Sequence, residues 1–236
     1  MLQGVVAQTS CQPLNGTGFN SNLNFYSNMN GSGTISNGTT ITPAVGAAGT
    51  VVNPNGLGMS YVDGNTSQGI KFGGDDYINF GSHATSTTYT ISLWVKPGTL
   101  TTSRPILQRG DATQCYYNPN ITIVSSTGVL AASESGCGGS GSIATATISL
   151  TKWSHVVVTR RFGVSKLYVD GVFKGSTSTI GNENWPGRLT VGASWNSSGS
   201  VYNSFSDATI DDVAIMTVEL SATQVAALYA SQNCNR

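Results

Sequence analysis

The stretch Tyr89-Thr90-Ile91-Ser92-Leu93-Trp94-Val95-Lys96 decides the fold class, because every second residue from Tyr89 to Val95 is apolar. Successive side chains of a β-strand point to opposite faces, so this alternation predicts a strand with one face against a core. Pro97-Gly98 ends the pattern, since proline breaks strand pairing and glycine favours turns. The stretch therefore predicts a half-buried strand of eight residues.

Further strand patterns surround this one. Val156-Val157-Val158 is apolar on both faces, which suits a strand in the middle of a sandwich. Asp170-Gly171 separates Lys166–Val169 from Val172–Lys174 and is a strong short signal for a β-hairpin. Many short strands separated by turn residues predict an all-β sandwich or barrel.

One helix is predicted near the C-terminus. Ser221-Ala222-Thr223-Gln224 is a capping box, in which the serine caps the helix and the glutamine reaches back to it. Val225, Leu228 and Tyr229 then fall on one face at helical spacing. We expect this helix to lie against the end of the sandwich.

The chain carries very little charge. Charged residues make up 9% of its 236 residues, the formal net charge is +0, and the usual fraction is about 25%. Nucleic acids and anionic membranes are recognised by clustered Lys and Arg, which this sequence lacks. No stretch of 18 apolar residues occurs, so no membrane insertion is expected. The sequence therefore favours uncharged partners. Sugars are the expected class, because amides, hydroxyls and aromatic faces recognise them.

Four cysteines allow three pairings. Cys115 and Cys137 are symmetric about residue 126, where a turn separates two strand patterns, so a hairpin would place them opposite each other. We therefore predict disulfides Cys115–Cys137 and Cys11–Cys234. The alternative is four reduced thiols in a cytosolic protein.

Several motifs together resemble laminin G-like jelly-roll domains of the concanavalin A-like lectin/glucanase superfamily. They follow one another in the family's order and cover roughly residues 70–230. The similar segments are Gly74–Ile78 with Tyr89–Pro97 ("DDYV … FTISAWVKP"), Ile106–Asp111 ("ILSKGD"), Trp153–Thr159 with Lys166–Gly171 ("WxHVAVT … KLYVDG"), and Phe205 with Ile210–Ile215 and Leu220-Ser221.

The resemblance implies a two-sheet antiparallel jelly-roll sandwich that binds carbohydrate or protein. We expect residues 21–236 to form this sandwich with its one short C-terminal helix. Residues 1–20 are expected to form an N-terminal extension tied to the C-terminus by a disulfide. The first residues lack the features of a signal peptide, but four cysteines and six N-x-S/T sequons are typical of extracellular proteins, so we expect a domain of a longer exported protein.

Loop aromatics flanked by amides are the candidate ligand-binding residues, because sugar rings stack on aromatic faces and their hydroxyls bond to amides. The alternative is that these rings fold back and cover the edge of the sandwich. Trp94 and Trp153 are predicted to pack in the core instead. The candidates are Tyr116, Tyr117, Asn118, Trp185, Trp195, Asn196 and Tyr202.

Calcium is a candidate cofactor through the resemblance, which implies Asp211 as the best ligand and Asn28 as the next. Calcium takes six to eight oxygen ligands, and the acid often found near Asn28 in relatives is missing here. The alternative is that Asp211 and Asp212 bond to backbone amides at a strand end.

No catalytic arrangement is evident. A glycosidase needs two carboxylates about 5–10 Å apart, and no E-x-D-x-E run would place them on one strand face. Asp75-Asp76 and Asp211-Asp212 are adjacent pairs, and adjacent strand residues are expected to point to opposite faces.

We expect a non-catalytic, extracellular or cell-surface recognition module that binds glycans as part of an adhesin or fibre tip, where it would form a homo-trimer. Two alternatives stay open. One is a structural or protein–protein interaction module without a sugar site, and the other is a glycoside hydrolase-like enzyme.

Overall fold

Short antiparallel strands dominate the computed structural model, which describes residues 14, 19–53, 56–83, 86–98, 103–111, 116–124, 127–136, 139–178, 187–195 and 201–233. A single-turn 3-10 helix, Asn20–Asn22, precedes the first strand, and helix α1 spans Ala222–Gln232. In chain order the strands are β1 (Leu23–Ser27), β2 (Thr40–Ile41), β3 (Gly49–Val52), β4 (Ser60–Asp63), β5 (Gln68–Lys71), β6 (Tyr77–His83), β7 (Tyr89–Lys96), β8 (Arg104–Asp111), β9 (Tyr116–Val124), β10 (Val129–Gly136), β11 (Gly139–Thr147), β12 (Ser154–Arg161), β13 (Val164–Val169), β14 (Val172–Ser178), β15 (Gly187–Val191), β16 (Ala193–Trp195), β17 (Val201–Phe205) and β18 (Thr209–Met216).

Two eight-stranded sheets form the sandwich. Sheet I has the order β14-β13-β12-β7-β18-β5-β4, and β1 also pairs with β18. Sheet II has the order β11-β10-β9-β8-β15-β6-β3-β2. The hairpin β16–β17 stands apart as a two-stranded sheet and lies against β8. The predicted all-β, two-sheet antiparallel sandwich with one short helix is confirmed.

The core lies between the inner faces of the two sheets. On β7, Ile91, Leu93 and Val95 are fully buried in this core, as their alternation predicted. Val156 and Val158 of β12 join them, whereas Val157 packs on the outer face of sheet I. Both of these central strands of sheet I are therefore buried on both faces, as the apolar run Val156–Val158 of β12 predicted.

A charged network joins the two sheets inside the sandwich. Nη1 of Arg160 lies 2.6 Å from Oε2 of Glu134, and both side chains are almost fully buried. The hydroxyls of Tyr89 and Ser165 donate to Oε1 of the same carboxylate. Glu134 belongs to sheet II and its three partners belong to sheet I, so the carboxylate of Glu134 links the two sheets through an ion pair and hydrogen bonds.

Helix α1 covers the outer face of sheet I, not the end of the sandwich as predicted. Its buried residues Val225 and Leu228 join Tyr26, Val157 and other apolar side chains in a second cluster. The predicted capping box is present: the amide of Gln224 donates to Oγ of Ser221, and the Ser221 amide donates to Oε1 of Gln224. None of the described helices has the length and apolarity that a membrane crossing requires.

The hairpin β9–β10 forms as predicted, with Val124 opposite Val129. A register shift follows Ser133, after which Ser135 lies opposite Tyr117. The predicted Cys115–Cys137 disulfide requires this second register, in which residues 137 and 115 would follow as the next facing pair. All four cysteines lie outside the described residues, so both disulfides stay predictions.

Candidate ligand-binding face

A row of uncharged polar residues crosses the outer face of sheet II. Each member lies directly opposite the next on the neighbouring strand, and the alternate residues of these strands point into the core. Eight strands spaced 4.8 Å apart give a row of about 34 Å. This polar row consists of Thr40, Thr50, Asn79, Thr190, Gln108, Asn120, Ser133 and Ser142.

Trp195 lies over the centre of the polar row. Its backbone amide donates to Oε1 of Gln108, and its indole Nε1 donates to Oγ1 of Thr190 at 2.8 Å. Both partners are buried, whereas Trp195 itself is half-buried. Two hydrogen bonds to neighbouring strands therefore fix the orientation of the indole on the sheet.

Two further side chains flank this indole. The guanidinium carbon of Arg188 lies 4.8 Å from the centroid of the Trp195 ring, within the range of a cation–π interaction. The Tyr77 ring meets it edge-on with the centroids 6.2 Å apart. Burial raises the pKa of the Tyr77 phenol, with a smaller opposing effect from the charge of Arg188. The three side chains form a rigid platform that contains a single positive charge.

An amide next to the platform has unused hydrogen-bonding capacity. Oδ1 of Asn120 is buried and has no hydrogen-bond partner among the described residues. Buried polar atoms are nearly always paired, so an orphaned one marks a place where water or a ligand group fits. Asn120 is a neighbour of Gln108 in the polar row and lies one strand further from Trp195.

The backbone brings several predicted residues toward this face. Tyr116 and Tyr117 begin β9, and Tyr117 lies opposite Gly110, which lies opposite Arg188. Tyr202 lies in β17, which pairs with β16 beside Trp195. The side chains of Tyr116, Tyr117, Asn118 and Tyr202 lie outside the described part of the chain.

Trp185 and Asn196 also fall outside the described residues. They come two residues before the first residue of β15 and one residue after the last residue of β16. Their binding roles stay predictions, as do those of the other candidates. The Trp195 ring folds back onto the sheet, as the alternative predicted, and remains partly exposed; its role in ligand binding stays a prediction.

Tyr77, Arg188 and the polar row were not predicted from the sequence. A signal existed in β15, where Arg188 and Thr190 alternate with buried Leu189 and Val191. The row itself joins residues as far apart in sequence as Thr40 and Thr190, and no local pattern gives that register.

Asp211 and Asp212 form a separate cluster on sheet I. Oδ2 of Asp211 accepts from the amides of Asn65 and Thr66 at 2.8 and 3.2 Å, and its Oδ1 accepts from the Asp212 amide. The carboxylate of Asp212 accepts from the hydroxyls of Tyr26 and Thr66 and from Nε2 of Gln232. Both residues are fully buried.

The prediction that these two carboxylates point to opposite faces is wrong, because both reach Thr66. The pairing of β18 with β7 shifts register between Asp211 and Ala214, and Asp212 has a φ of 49°. A bulge of this kind re-aims one side chain. Burial raises the pKa of both carboxyls, and the charge of Asp212 raises that of Asp211 further.

The cluster offers carboxylate oxygens, which are ligands that calcium takes. The oxygens of Asp211 and Asp212 already accept hydrogen bonds from six described donors, so a cation would have to share them. Oδ1 of Asn28 accepts from the amide of Asn30 at 3.3 Å. No three His, Cys, Asp or Glu side chains of the described residues group together. Calcium binding at Asp211 and Asn28 stays a prediction.

Solved structures with the same fold are numerous. Domain 4 of the extracellular GH43 arabinanase AbnA from Geobacillus stearothermophilus, in complex with arabinotriose, is 22% identical with a TM-score of 0.63, covering 77% of this chain and 87% of that one. The botulinum neurotoxin type G receptor binding domain is 17% identical with a TM-score of 0.63, covering 89% and 51%. Trypanosoma rangeli sialidase is 17% identical with a TM-score of 0.63, covering 91% and 33%.

The chain thus spans about half of the neurotoxin domain and a third of the sialidase. These likenesses show the fold alone. Among curated proteins, none matches the chain. The sequence profile of laminin G-like domains described as "Concanavalin A-like lectin/glucanases superfamily" matches residues 72–226, more than half of the 236 residues. The chain belongs to this laminin G-like family of the concanavalin A-like lectin/glucanase superfamily.

Proposed function

We propose that this chain is a non-catalytic recognition module that binds neutral glycans along the polar row of sheet II, with Trp195 as the central stacking surface. The observation that carries the proposal is the fixed, half-exposed indole above a row of amides and hydroxyls. Sugar C–H faces stack on such rings, and sugar hydroxyls exchange hydrogen bonds with amides and hydroxyls.

The electrostatics of this face supports a neutral ligand. The eight members of the polar row are Asn, Gln, Ser or Thr, and among the described residues Arg188 is the charged side chain placed against the indole. A row of about 34 Å would suit an extended oligosaccharide better than a single sugar. Domain 4 of AbnA, whose structure contains arabinotriose, has the same fold and agrees with this ligand class.

The state of the carboxylates supports a binding role over catalysis. Asp211 and Asp212 lie close together with raised pKa values, which a glycosidase acid would share, yet both are inaccessible to solvent. Glu134 is locked in the ion pair with Arg160. Asp76 accepts from the Gly73 amide within a turn, and burial raises its pKa to about 6.

We further propose an extracellular or cell-surface location, as part of an adhesin or a trimeric fibre tip. The low charge, the predicted disulfides and the fold shared with an extracellular arabinanase domain support this setting.

A glycan array tests the proposal. We expect the wild-type chain to bind neutral oligosaccharides and Trp195→Ala to lose about tenfold or more in affinity. Phe162→Ala is the matched control, because Phe162 is an aromatic residue that is 75% exposed and lies in the turn between β12 and β13 of sheet I. Equal binding by the wild type and Trp195→Ala would contradict the assignment.

The alternatives have distinct outcomes. Binding to a protein partner without any glycan would favour the protein–protein interaction module, for which exposed Val172 and Phe173 offer an apolar surface. Release of reducing sugar from a polysaccharide would favour the glycoside hydrolase.

A further inference from the structure

A pocket lies on the outer side of sheet I, where the C-terminal part of helix α1 meets the loop between β11 and β12. Its volume is about 570 Å³, which falls within the range of small-molecule sites. Trp94, Trp153 and Tyr229 line it together with polar residues of the loop. The polar row and its platform are on the other sheet.

Aromatic rings form the floor of this pocket. The rings of Trp94 and Tyr229 are stacked 5.8 Å apart, and the buried imidazole of His155 stacks on Trp94 at 4.9 Å. Nε1 of Trp94 donates to Oε1 of Gln232, which fixes the indole. The prediction that Trp94 packs in the core is therefore only partly right, because its ring is buried on the outer face of sheet I.

Trp153 differs from Trp94 in being partly exposed. It is half-buried and makes no hydrogen bond or ring contact with the described residues. The prediction of core packing is wrong for this residue, since it precedes β12 and borders the pocket. A half-exposed indole beside a preformed cavity is the usual stacking surface for a sugar ring.

The pocket concentrates positive charge in a chain that has few charges. Lys96 and Lys152 both line it and are exposed, and the chain contains 11 basic residues in total. The opposing charge is Asp170, whose Oδ1 is already held by the amide of His155 at 2.8 Å. Two lysines and one carboxylate give this lining a net positive charge, which favours an anionic ligand.

Amides complete the lining. Nδ2 of Asn233 donates to the Tyr229 hydroxyl at 2.9 Å, and Asn65 borders the same space. Amides and hydroxyls beside an aromatic face recognise sugar hydroxyls, whereas lysines recognise a carboxylate.

We propose that this pocket is a second, independent site that binds a carboxylated sugar, such as a uronate. Trp153 stacks on the ring of the sugar, and Lys152 with Lys96 holds its carboxylate. This inference does not rest on the proposed function of sheet II, because it uses different residues and a different class of sugar.

A comparison of each uronate with its neutral parent sugar tests whether the ligand must carry a carboxylate. Galacturonate and glucuronate are titrated into the full chain beside galactose and glucose, and binding is followed by calorimetry and tryptophan fluorescence. We expect each uronate to bind about four- to 25-fold more tightly than its neutral partner, because two exposed ion pairs each contribute about two- to fivefold. Added salt should weaken the binding of the uronates and leave the binding of the neutral sugars unchanged.

Variants locate the site. Lys152→Gln should weaken uronate binding by about two- to fivefold, and Trp153→Ala by about tenfold or more. Lys71→Gln is the matched control, because Lys71 is an exposed lysine of sheet I outside this pocket. Trp195→Ala should leave uronate binding unchanged, which separates this inference from the sheet II proposal.

Three results would overturn the inference. These are equal affinity for the charged and neutral sugars, undiminished uronate binding by Lys152→Gln, and no uronate binding up to about 50 mM. If no uronate binds while neutral glycans bind through Trp195, the uronate site is wrong and the function proposed for sheet II stands. If the uronates bind here while no neutral glycan binds, the function proposed for sheet II is wrong.

Discussion

Replacing His155 with glutamine should flatten the pH dependence of stability between pH 7 and pH 5. The His155 side chain is fully buried and packs against the rings of Trp94 and Tyr229, and its Nε2 is hydrogen-bonded to Oγ of Ser92 at 2.8 Å. Its Nδ1 has no hydrogen-bond partner in the described part of the chain, so no described acceptor would hold a second proton. Burial accordingly lowers the imidazole pKa from 6.5 to about 3.

The magnitude follows from proton linkage. The unfolded chain takes up this proton near pH 6.5, and the folded chain does so only near pH 3. The contribution to stability is therefore fully present above pH 6.5 and is lost as the pH falls from 6.5 toward 3. Between pH 7 and pH 5 the wild type should lose about 2 kcal/mol of unfolding free energy through this residue alone.

Urea denaturation at pH 5, 6 and 7 measures the effect. Other titrating groups are common to both proteins, so the difference between the wild type and His155→Gln isolates the histidine. Phe162→Ala is the control, since Phe162 is exposed and is expected to leave the pH dependence unchanged. Identical pH slopes for the wild type and His155→Gln, or an imidazole NMR resonance that titrates near pH 6.5 in the folded protein, would refute the reasoning.

Four further predictions concern stability. Glu134→Ala should lower the unfolding free energy by about 3–5 kcal/mol, because Arg160 would stay buried without its carboxylate; a loss below about 1 kcal/mol in urea denaturation would contradict this. Ser221→Ala should cost about 1 kcal/mol through loss of the helix cap, seen as a melting temperature lower by about 2–4 °C, whereas an unchanged temperature would mean that the cap contributes nothing. If calcium binds at Asp211, calcium at 100 times its Kd should stabilise the chelator-treated protein by about 2.7 kcal/mol, and Asp211→Asn should abolish the gain; equal melting temperatures with calcium and chelator would rule the ion out. Thiol titration of the unreduced, denatured protein should find no free thiol if both predicted disulfides form, and any stoichiometric thiol would disprove one of them.

The sequence by itself determined those features that a local pattern encodes. The alternation in β7 predicted which of its faces points into the core. Asp170-Gly171 predicted the turn between β13 and β14, and the capping box at Ser221 predicted the start of helix α1. Each depends on side chains within a few residues of one another, where the two-residue period of a strand or the geometry of a cap leaves little choice.

Tertiary structure alone decided which distant residues meet and where the regular pattern breaks. The bulge at Asp212 turned two adjacent carboxylates toward one loop, against the two-residue period. The platform around Trp195 joins Tyr77, Arg188 and Gln108 from different strands of sheet II. Strand order and register are set by the packing of whole sheets, so residues that share a face across several strands carry no common signal in the sequence.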